Sequence, residues 1–367
     1  MVDILDDRPL KGRGTVSNRV GRFEAHARMR TDDGWARAGH DGWDEEADLE
    51  VATATQVRLD TSRSVISYND SPDVNFDRSI NPYRGCEHGC VYCFARPSHA
   101  YLGHSPGLDF ETILYAKRDA PALLAKELRA KGYTPQPIAL GANTDAYQPI
   151  ERTERITRGV LEVLRDFRHP VGIITKSPLV LRDLDILAPM AADGLARVSI
   201  SITTLDRDLA RKLEPRAGTP QRRLDAVRQL SQAGVPVSVL ASPMIPALND
   251  AELEGILAAA KEAGATQGHY ILLRLPRELG DLMEEWLRLH VPDRADHVLS
   301  LIRQCRDGGR NHAEFGTRMR GTGVYAQLLT ARYKLAVKRL GLDQRRWSMR
   351  CDLFQPPPQA GDQLALF

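Results

Sequence analysis

The chain has 367 residues, is 42% hydrophobic and carries a formal net charge of +2, enough for one large α/β domain with appendages or for two domains. No apolar run approaches the roughly 20 residues that a membrane span needs. The first 30 residues are polar and lack the apolar stretch of a secretory signal, so a cytoplasmic chain with no membrane partner is expected. Five cysteines, three of them crowded into eight residues, argue against a disulfide framework and for a metal site. The charge is uneven: Arg303 to Arg350 holds twelve Lys/Arg against three Asp/Glu, a local +9 that leaves −7 on the rest. Such a basic segment suits either nucleic acid or a solvated helical face packed on an acidic body.

Residues 1–70 read as an irregular N-terminal extension of mixed charge. The Arg-rich stretch 19–30 and Asp44-Glu45-Glu46 are expected to be solvated, Trp35 and Trp43 to pin the arm, and 63–68 to form a short strand. Residues 71–276 alternate short apolar stretches with amphipathic ones. Strands are expected at 79–83, 137–141, 171–176, 197–203, 236–241 and 269–274, with a further candidate at 111–117. Helices are expected at 94–102, 123–131, 153–167, 179–189, 221–233 and 250–263, the last capped by Asn249 or Asp250. Glycines 132, 234 and 264 close three of them. This alternation implies parallel βαβ units, in a barrel or a doubly wound sheet. Residues 277–354 read as an all-helical region, with helices at 282–289, 295–306 and 325–340 and a Gly/Arg-rich loop at 307–323. A flexible tail with three consecutive prolines follows at 355–367.

Cys86, Cys90 and Cys93, spaced Cys-x3-Cys-x2-Cys, directly follow the first strand. Closely spaced thiolates hold iron–sulfur clusters. Three of them leave one iron of a four-iron cube open to an outside ligand. Zinc, completed by His88, Cys305 or Cys351, is the competing reading, but zinc sites usually pair two separated knuckles and no second pair exists.

The loop resembles that of the radical S-adenosylmethionine (radical SAM) superfamily. The longer string from Ser79 through Arg96 resembles the branch that contains spore photoproduct lyase. Leu140 to Glu151 is similar to that branch's Gly-Thr-Asn-Thr-Asp-x-Tyr-Gln-Pro-x-Glu stretch, with Ala142 replacing the first Thr. Ser199 to Thr204 and Leu213-Glu214-Pro215-Arg216 match its fourth-strand region. The likeness covers about residues 60–345. It implies a partial (β/α)6 barrel with its site at the carboxyl ends of the strands, an α/β core spanning 71–276, a [4Fe–4S] cluster on the three cysteines, and S-adenosylmethionine at the open iron. It implies that Tyr92 lies near the adenine, that Asn143, Thr144 and Asp145 receive the cofactor's ammonium, and that Ser201 and Arg216 hold its carboxylate and ribose. An Arg fork suits a carboxylate. Thr175 and Lys176 belong to the same rim by position, and Ser242 to Pro246 is placed to pack against the adenine.

The implied activity is cleavage of S-adenosylmethionine to a 5′-deoxyadenosyl radical that abstracts hydrogen, fed by a one-electron donor such as flavodoxin or ferredoxin. The branch suggests a nucleic-acid substrate and lyase-like DNA repair. Cys305, with Tyr325 and Tyr333, is the candidate hydrogen-atom carrier. Neither Cys305 nor Cys351 aligns with the lyase donor, and a buried small residue is the bland alternative for both. A radical SAM enzyme acting on a peptide or protein, with residues 1–70 as a recognition element, and a non-catalytic nucleic-acid-binding metalloprotein are the other readings.

Overall fold

The structure is a computed structural model that describes residues 9–24, 54–343 and 348–358, together with the backbone pair Asp3–Ile4 and Thr31–Asp32. Trp35, Trp43, Asp44-Glu45-Glu46, the later part of 19–30, Arg345, Arg346 and residues 359–367 lie outside the described residues.

Ten strands follow: β1 (Gln56–Leu59), β2 (Ile66–Tyr68), β3 (Arg78–Ile80), β4 (Tyr83–Arg84), β5 (Ile113–Ala116), β6 (Ile138–Leu140), β7 (Val171–Thr175), β8 (Ala196–Ser201), β9 (Val237–Met244) and β10 (Gln267–Leu272). Seven form one sheet in the order β10-β9-β8-β7-β6-β3-β2. Six of these, β3 and β6 to β10, run parallel in sequence order, and only β2 pairs antiparallel. The alternation read from the sequence is therefore an α/β fold with a parallel sheet. A three-stranded sheet, β1-β5-β4, stands beside it.

The α-helices of seven residues or more among the described residues are α1 (Ala120–Leu128), α2 (Ile156–Asp166), α3 (Leu184–Ala192), α4 (Arg207–Leu213), α5 (Pro220–Gln232), α6 (Leu253–Glu262), α7 (Leu279–His290), α8 (Pro292–Gln304) and α9 (Gly323–Leu340), and the helix expected at 94–102 is a 3-10 helix over Arg96–Leu102. Helix α5, expected from 221, starts at Pro220, and the Thr219 side chain accepts from the Arg222 amide, a pairing that satisfies orphan amides of a helix start. Asn249 does not cap α6. Its side chain accepts from the Ile245 amide and donates to the carbonyls of Thr203 and Pro243, tying two strand ends together. The stretch from Ser242, expected to follow its strand, is still part of β9, whose pairing with β10 shifts register between Ala241 and Met244. Proline is tolerated in a strand at such an irregularity.

The two faces of the sheet differ in chemistry. Val171, Ile173, Val198, Ile200, Val237, Val239, Tyr270 and Leu272 are buried with the helices in the main core. Their alternates on the other face are mixed: Gly172, Ser199 and Ser238 stand beside Ile174, Leu240 and Ile271, all only half-buried, and the Ser199 and Ser238 hydroxyls lie 2.6 Å apart. The period-2 alternation of strands thus packs one face under the helices and leaves the other, less fully buried face to line the lumen.

The lateral gap of the partial barrel lies between β10 and the β2–β3 connection. The Gly/Arg-rich loop spans it. The Leu272 amide donates to Met319 O at 2.9 Å, and Arg318 pairs with Asp73 and donates to the Ser71 hydroxyl. The Gly316 amide also donates to Asp73, at 2.7 Å. Replacing Asp73 by Ala is expected to lower stability by about 1–3 kcal/mol, because it leaves a part-buried guanidinium without its partner. The check is the urea midpoint at constant slope, and an unchanged midpoint would show that this bridge does not hold the seam.

Candidate active site

The cysteine loop sits at the carboxyl end of β3 and β4, the same end of the sheet at which β6 to β10 release their loops. Gly85 and Gly89 flank Cys86 and its neighbours with φ of +76° and +67°, a region that L side chains avoid. A Cβ at Gly89 would come within 2.7 Å of Glu111 Oε2, so the loop has no room for a side chain there.

A buried ion pair holds the loop from behind. Arg96 and Glu111, both fully buried, meet at 2.6 Å. Arg96 Nε donates to Cys90 O at 2.8 Å, and Nη1 to the carbonyls of Pro106 and Gly107. Glu111 in turn accepts from the amides of Gly14 and Thr15 and from the Thr15 hydroxyl. Part of the N-terminal extension is thereby laid on the cluster loop. It continues to α7 through Ser17 and Arg19, which bind Glu285, and through Arg22 on Glu278.

The front of the loop is held by the segment after β6. Gln148 accepts from the Glu87 amide at 2.9 Å and donates to Gly85 O at 3.2 Å. Asp145 accepts from the Thr175 hydroxyl at 2.7 Å and from the amides of Lys176 and Tyr147 at 2.7 and 2.9 Å. His88 Nδ1 lies 3.4 Å from the same carboxylate without hydrogen-bond alignment. Burial pushes the Asp145 carboxyl up, but His88, the Lys176 amide and the Thr175 hydroxyl outweigh it and hold it down at about 2. Thr144 and Asn143 are anchored through their amides to Asn81 Oδ1, and the Thr144 hydroxyl donates to Tyr83 O. The Asn143 residue itself is exposed.

Tyr92 is buried. Its hydroxyl bonds Glu214 and lies 3.0 Å from the Thr203 hydroxyl. Glu214 also takes Thr203 at 2.7 Å and pairs with the buried Arg223, whose Nη1 donates to Ser201 O at 3.0 Å. The Ser201 hydroxyl donates to Ser242 O at 3.1 Å. Lys176 Nζ stands 5.8 Å from the Tyr92 ring centre. Arg216 lies beside the loop, its amide donating to His88 O at 3.3 Å and its guanidinium 3.2 Å from Glu87 Oε1. It borders a cleft of about 460 Å³ with Lys11, Arg13, Thr55 and Glu87.

Tyr325 reaches the loop after β9, donating to Asp250 Oδ2 at 2.6 Å, and burial with that carboxylate raises it to about 12. Tyr333 instead donates to Gly268 O and packs on Tyr270, on the helix side of the sheet. Cys305 is buried in the main core at the end of α8. Cys351 lies near Arg78 and Asp77 at the amino end of β3, and burial raises both thiols. The structure thus brings Tyr92, Thr144, Asp145 and Ser201 into the framework around the cysteine loop. It sets Cys305 and Cys351 apart from it.

Arg96, Gln148 and Glu214 fall inside the motifs that carry the family resemblance, which assign them no role, and Glu111 and Arg223 lie outside those motifs. The local signal of Glu111 is a charge inside an apolar context, Asp109-Phe110-Glu111-Thr112-Ile113-Leu114.

Cys86 and Cys90 are buried and Cys93 is half-buried; burial raises the first two thiols, Cys86 also by the negative charge of Asp145. Among the described residues no group of three or more His, Cys, Asp or Glu is placed to hold a metal ion. What fits an iron–sulfur cluster is the chemistry of the donor set, three thiols within eight residues on a loop shaped by two left-handed glycines.

Replacing Glu111 by Gln is expected to cost about 3–5 kcal/mol, because it leaves Arg96 charged and unpaired in the interior. Thermal unfolding and iron bound after reconstitution should fall together. Full iron binding in a destabilised variant would show that the clasp serves the fold alone.

The radical SAM superfamily model matches residues 80–260. An uncharacterised protein of Mycobacterium tuberculosis is 38% identical over 193 residues, which cover 52% of this chain and 57% of that protein. An uncharacterised protein of Methanocaldococcus jannaschii is 31% identical over 174 residues, covering 47% of this chain and 62% of that protein. The chain therefore spans less than two thirds of these curated relatives. Among solved structures, a spore photoproduct lyase complexed with dinucleoside spore photoproduct is similar at a TM-score of 0.57 with 17% identity, covering 83% of this chain and 84% of that one. Another spore photoproduct lyase variant, with bound AdoMet and the dinucleoside, gives 0.56 with 15% identity over 82% and 84%. These likenesses are of fold, and no helix among the described residues is long and apolar enough to cross a membrane. With its cysteine loop leading the six parallel strands, the stretch 80–260 is a radical SAM superfamily domain.

Proposed function

We propose that the chain is a radical SAM enzyme in which Cys86, Cys90 and Cys93 hold a [4Fe–4S] cluster that leaves one iron to S-adenosylmethionine. When bound, that pair supplies a 5′-deoxyadenosyl radical for hydrogen abstraction. The observation that carries the reading is the cysteine loop, fixed from both sides at the carboxyl end of the parallel sheet. Arg96 holds Cys90 O, and Gln148 holds Gly85 O and the Glu87 amide.

The chain's own residues then have separable tasks. The Arg96–Glu111 clasp and the N-terminal segment over it keep water from the back of the loop. Asp145, saturated by Thr175, Tyr147 and Lys176, fixes the turn that carries Asn143 and Thr144, whose remaining polar groups would receive the cofactor's ammonium. The Tyr92–Thr203–Glu214–Arg223 network fixes the strand end that carries Ser201. Arg216 and Lys176 supply positive charge beside the loop. A one-electron donor of the flavodoxin or ferredoxin type completes the cycle, and Tyr325 is the hydrogen-carrying candidate on the carboxyl face. The substrate class is nucleic acid with a lyase-like, lesion-repair reaction. The basic C-terminal segment and the fold shared with spore photoproduct lyase support it. A peptide substrate is the alternative outcome.

The test is anaerobic reconstitution with iron and sulfide, reduction, and addition of S-adenosylmethionine. The wild-type chain is expected to turn brown and to release 5′-deoxyadenosine. Cys86→Ala, Cys90→Ala and Cys93→Ala should each lower that yield at least 100-fold, and Cys351→Ala should leave it within twofold. A colourless, zinc-loaded protein, or product formation that survives loss of all three cysteines, would sink the proposal.

A further inference from the structure

The cleft of about 460 Å³ that Arg216 shares with Lys11, Arg13, Ala54, Thr55 and Glu87 lies on the arm side of the cysteine loop. The loop turns two neighbouring side chains to different partners. His88 Nδ1 approaches Asp145, in the segment after β6. Glu87 instead accepts from the Thr55 hydroxyl at 2.6 Å and stands 3.2 Å from Arg216 Nη2. Arg13 donates to the same Thr55 hydroxyl at 3.2 Å and to Glu111 O at 3.0 Å. The wall of the cleft is thus tied to the residue that holds the cysteine loop from behind.

Two properties set this cleft apart. The first is charge. Among the described residues it is bordered by three cations, Lys11, Arg13 and Arg216, and by one acid. That acid, Glu87, is buried and already meets Arg216, whereas Lys11 and Arg216 are exposed. The second is position. Glu87 is covalently the next residue after Cys86, and its amide is fixed by Gln148. The bottom of the cleft is therefore one residue from a thiol.

A molecule that reacts with a radical must reach the lumen side of the loop, where Tyr92, Asp145 and Ser201 converge. A molecule in this cleft is screened from that side by the loop itself. An electron needs nearness and no channel. We propose that the cleft is the docking face for an acidic one-electron carrier protein that reduces the cluster past Glu87 and Cys86. The proposal rests on the reading of the chain as a radical SAM enzyme and names the face at which its reductant binds. In each encounter the carrier gives up one electron and the cluster takes it, with no bond made or broken. Complementary charge steers such encounters and sets their salt dependence. Redox pairs need little contact, less than about 1,200 Å² in total, so a few cations around one cleft suffice.

The probe is a dye-labelled flavodoxin. Its binding to the full chain, before and after reconstitution with iron and sulfide, is read by fluorescence anisotropy at low and high salt. Reduction of the reconstituted chain by flavodoxin hydroquinone is followed by stopped flow, beside reduction by dithionite. Lys11→Glu and Ala54→Glu place an acid on two separate stretches of the cleft wall, both exposed. Each is expected to weaken binding and slow flavodoxin-driven reduction about 10-fold at low salt, with the difference shrinking at high salt. Ala54→Lys should tighten binding. Dithionite-driven reduction should stay within twofold in all three. Lys334→Glu, the same charge reversal at an exposed position of α9, should bind flavodoxin as the wild type does.

No binding of flavodoxin, binding unchanged in both cleft variants, or an equal loss in Lys334→Glu overturns the docking face. An oligonucleotide whose binding is lost in Lys11→Glu while that of flavodoxin persists overturns it too, and gives the cleft to nucleic acid. Binding to the iron-free chain is scored separately from formation of 5′-deoxyadenosine with dithionite by the wild type. Failure of the cofactor reading is thereby distinguished from failure of the docking face.

Discussion

The buried pair between Arg96 and Glu111 is the constraint on which the site depends. Two charges in a dry interior are worth keeping only when every remaining donor and acceptor is satisfied. Arg96 spends its donors on Glu111 and on three carbonyls, one of them that of Cys90. Glu111 spends its oxygens on Arg96 and on Gly14 and Thr15. One ion pair thus couples three separate stretches of chain, the arm, the cysteine loop and the segment before β5. None of them has a regular element long enough to define its own course.

The second constraint is the difference between the two faces of the sheet. Branched apolar residues on one face drive association with the helices at roughly 25 cal/mol per Å² of apolar surface buried. The other face mixes Gly172, Ser199 and Ser238 with Ile174, Leu240 and Ile271, all half-buried, and gives up part of that gain. The loop across the lateral gap completes the lumen, and the Asp73–Arg318 bridge joins the last strand's side to the first. The basic segment noted in the sequence therefore divides by position. Arg318 and Arg332 pair with acids, Arg306 binds backbone carbonyls, and Arg320 stacks on tyrosines.

Much of the fold was legible because short apolar runs and amphipathic runs have different periods. All six parallel strands fall within a few residues of where the alternation puts them. The cysteine loop was legible because its chemistry is local. The rest was not, for the same physical reason reversed. Asp145 looks like a turn residue or a ligand in one dimension, and only in three does Thr175 from another strand reach its carboxylate. Glu214 hides beside Arg216 in one short motif, yet Glu214 is buried under Tyr92 while Arg216 faces the cleft. Asn249 reads as a helix cap and instead staples Thr203 to Pro243. Partners separated by dozens of residues leave no periodic trace.

Gly14 lies so close to the loop that a Cβ on it would overlap Gly89 O, at 1.7 Å. Two backbones in such contact, with Gly14 and Thr15 bound to Glu111, make the arm part of the wall behind the three thiols and leave no thickness for a side chain between arm and loop.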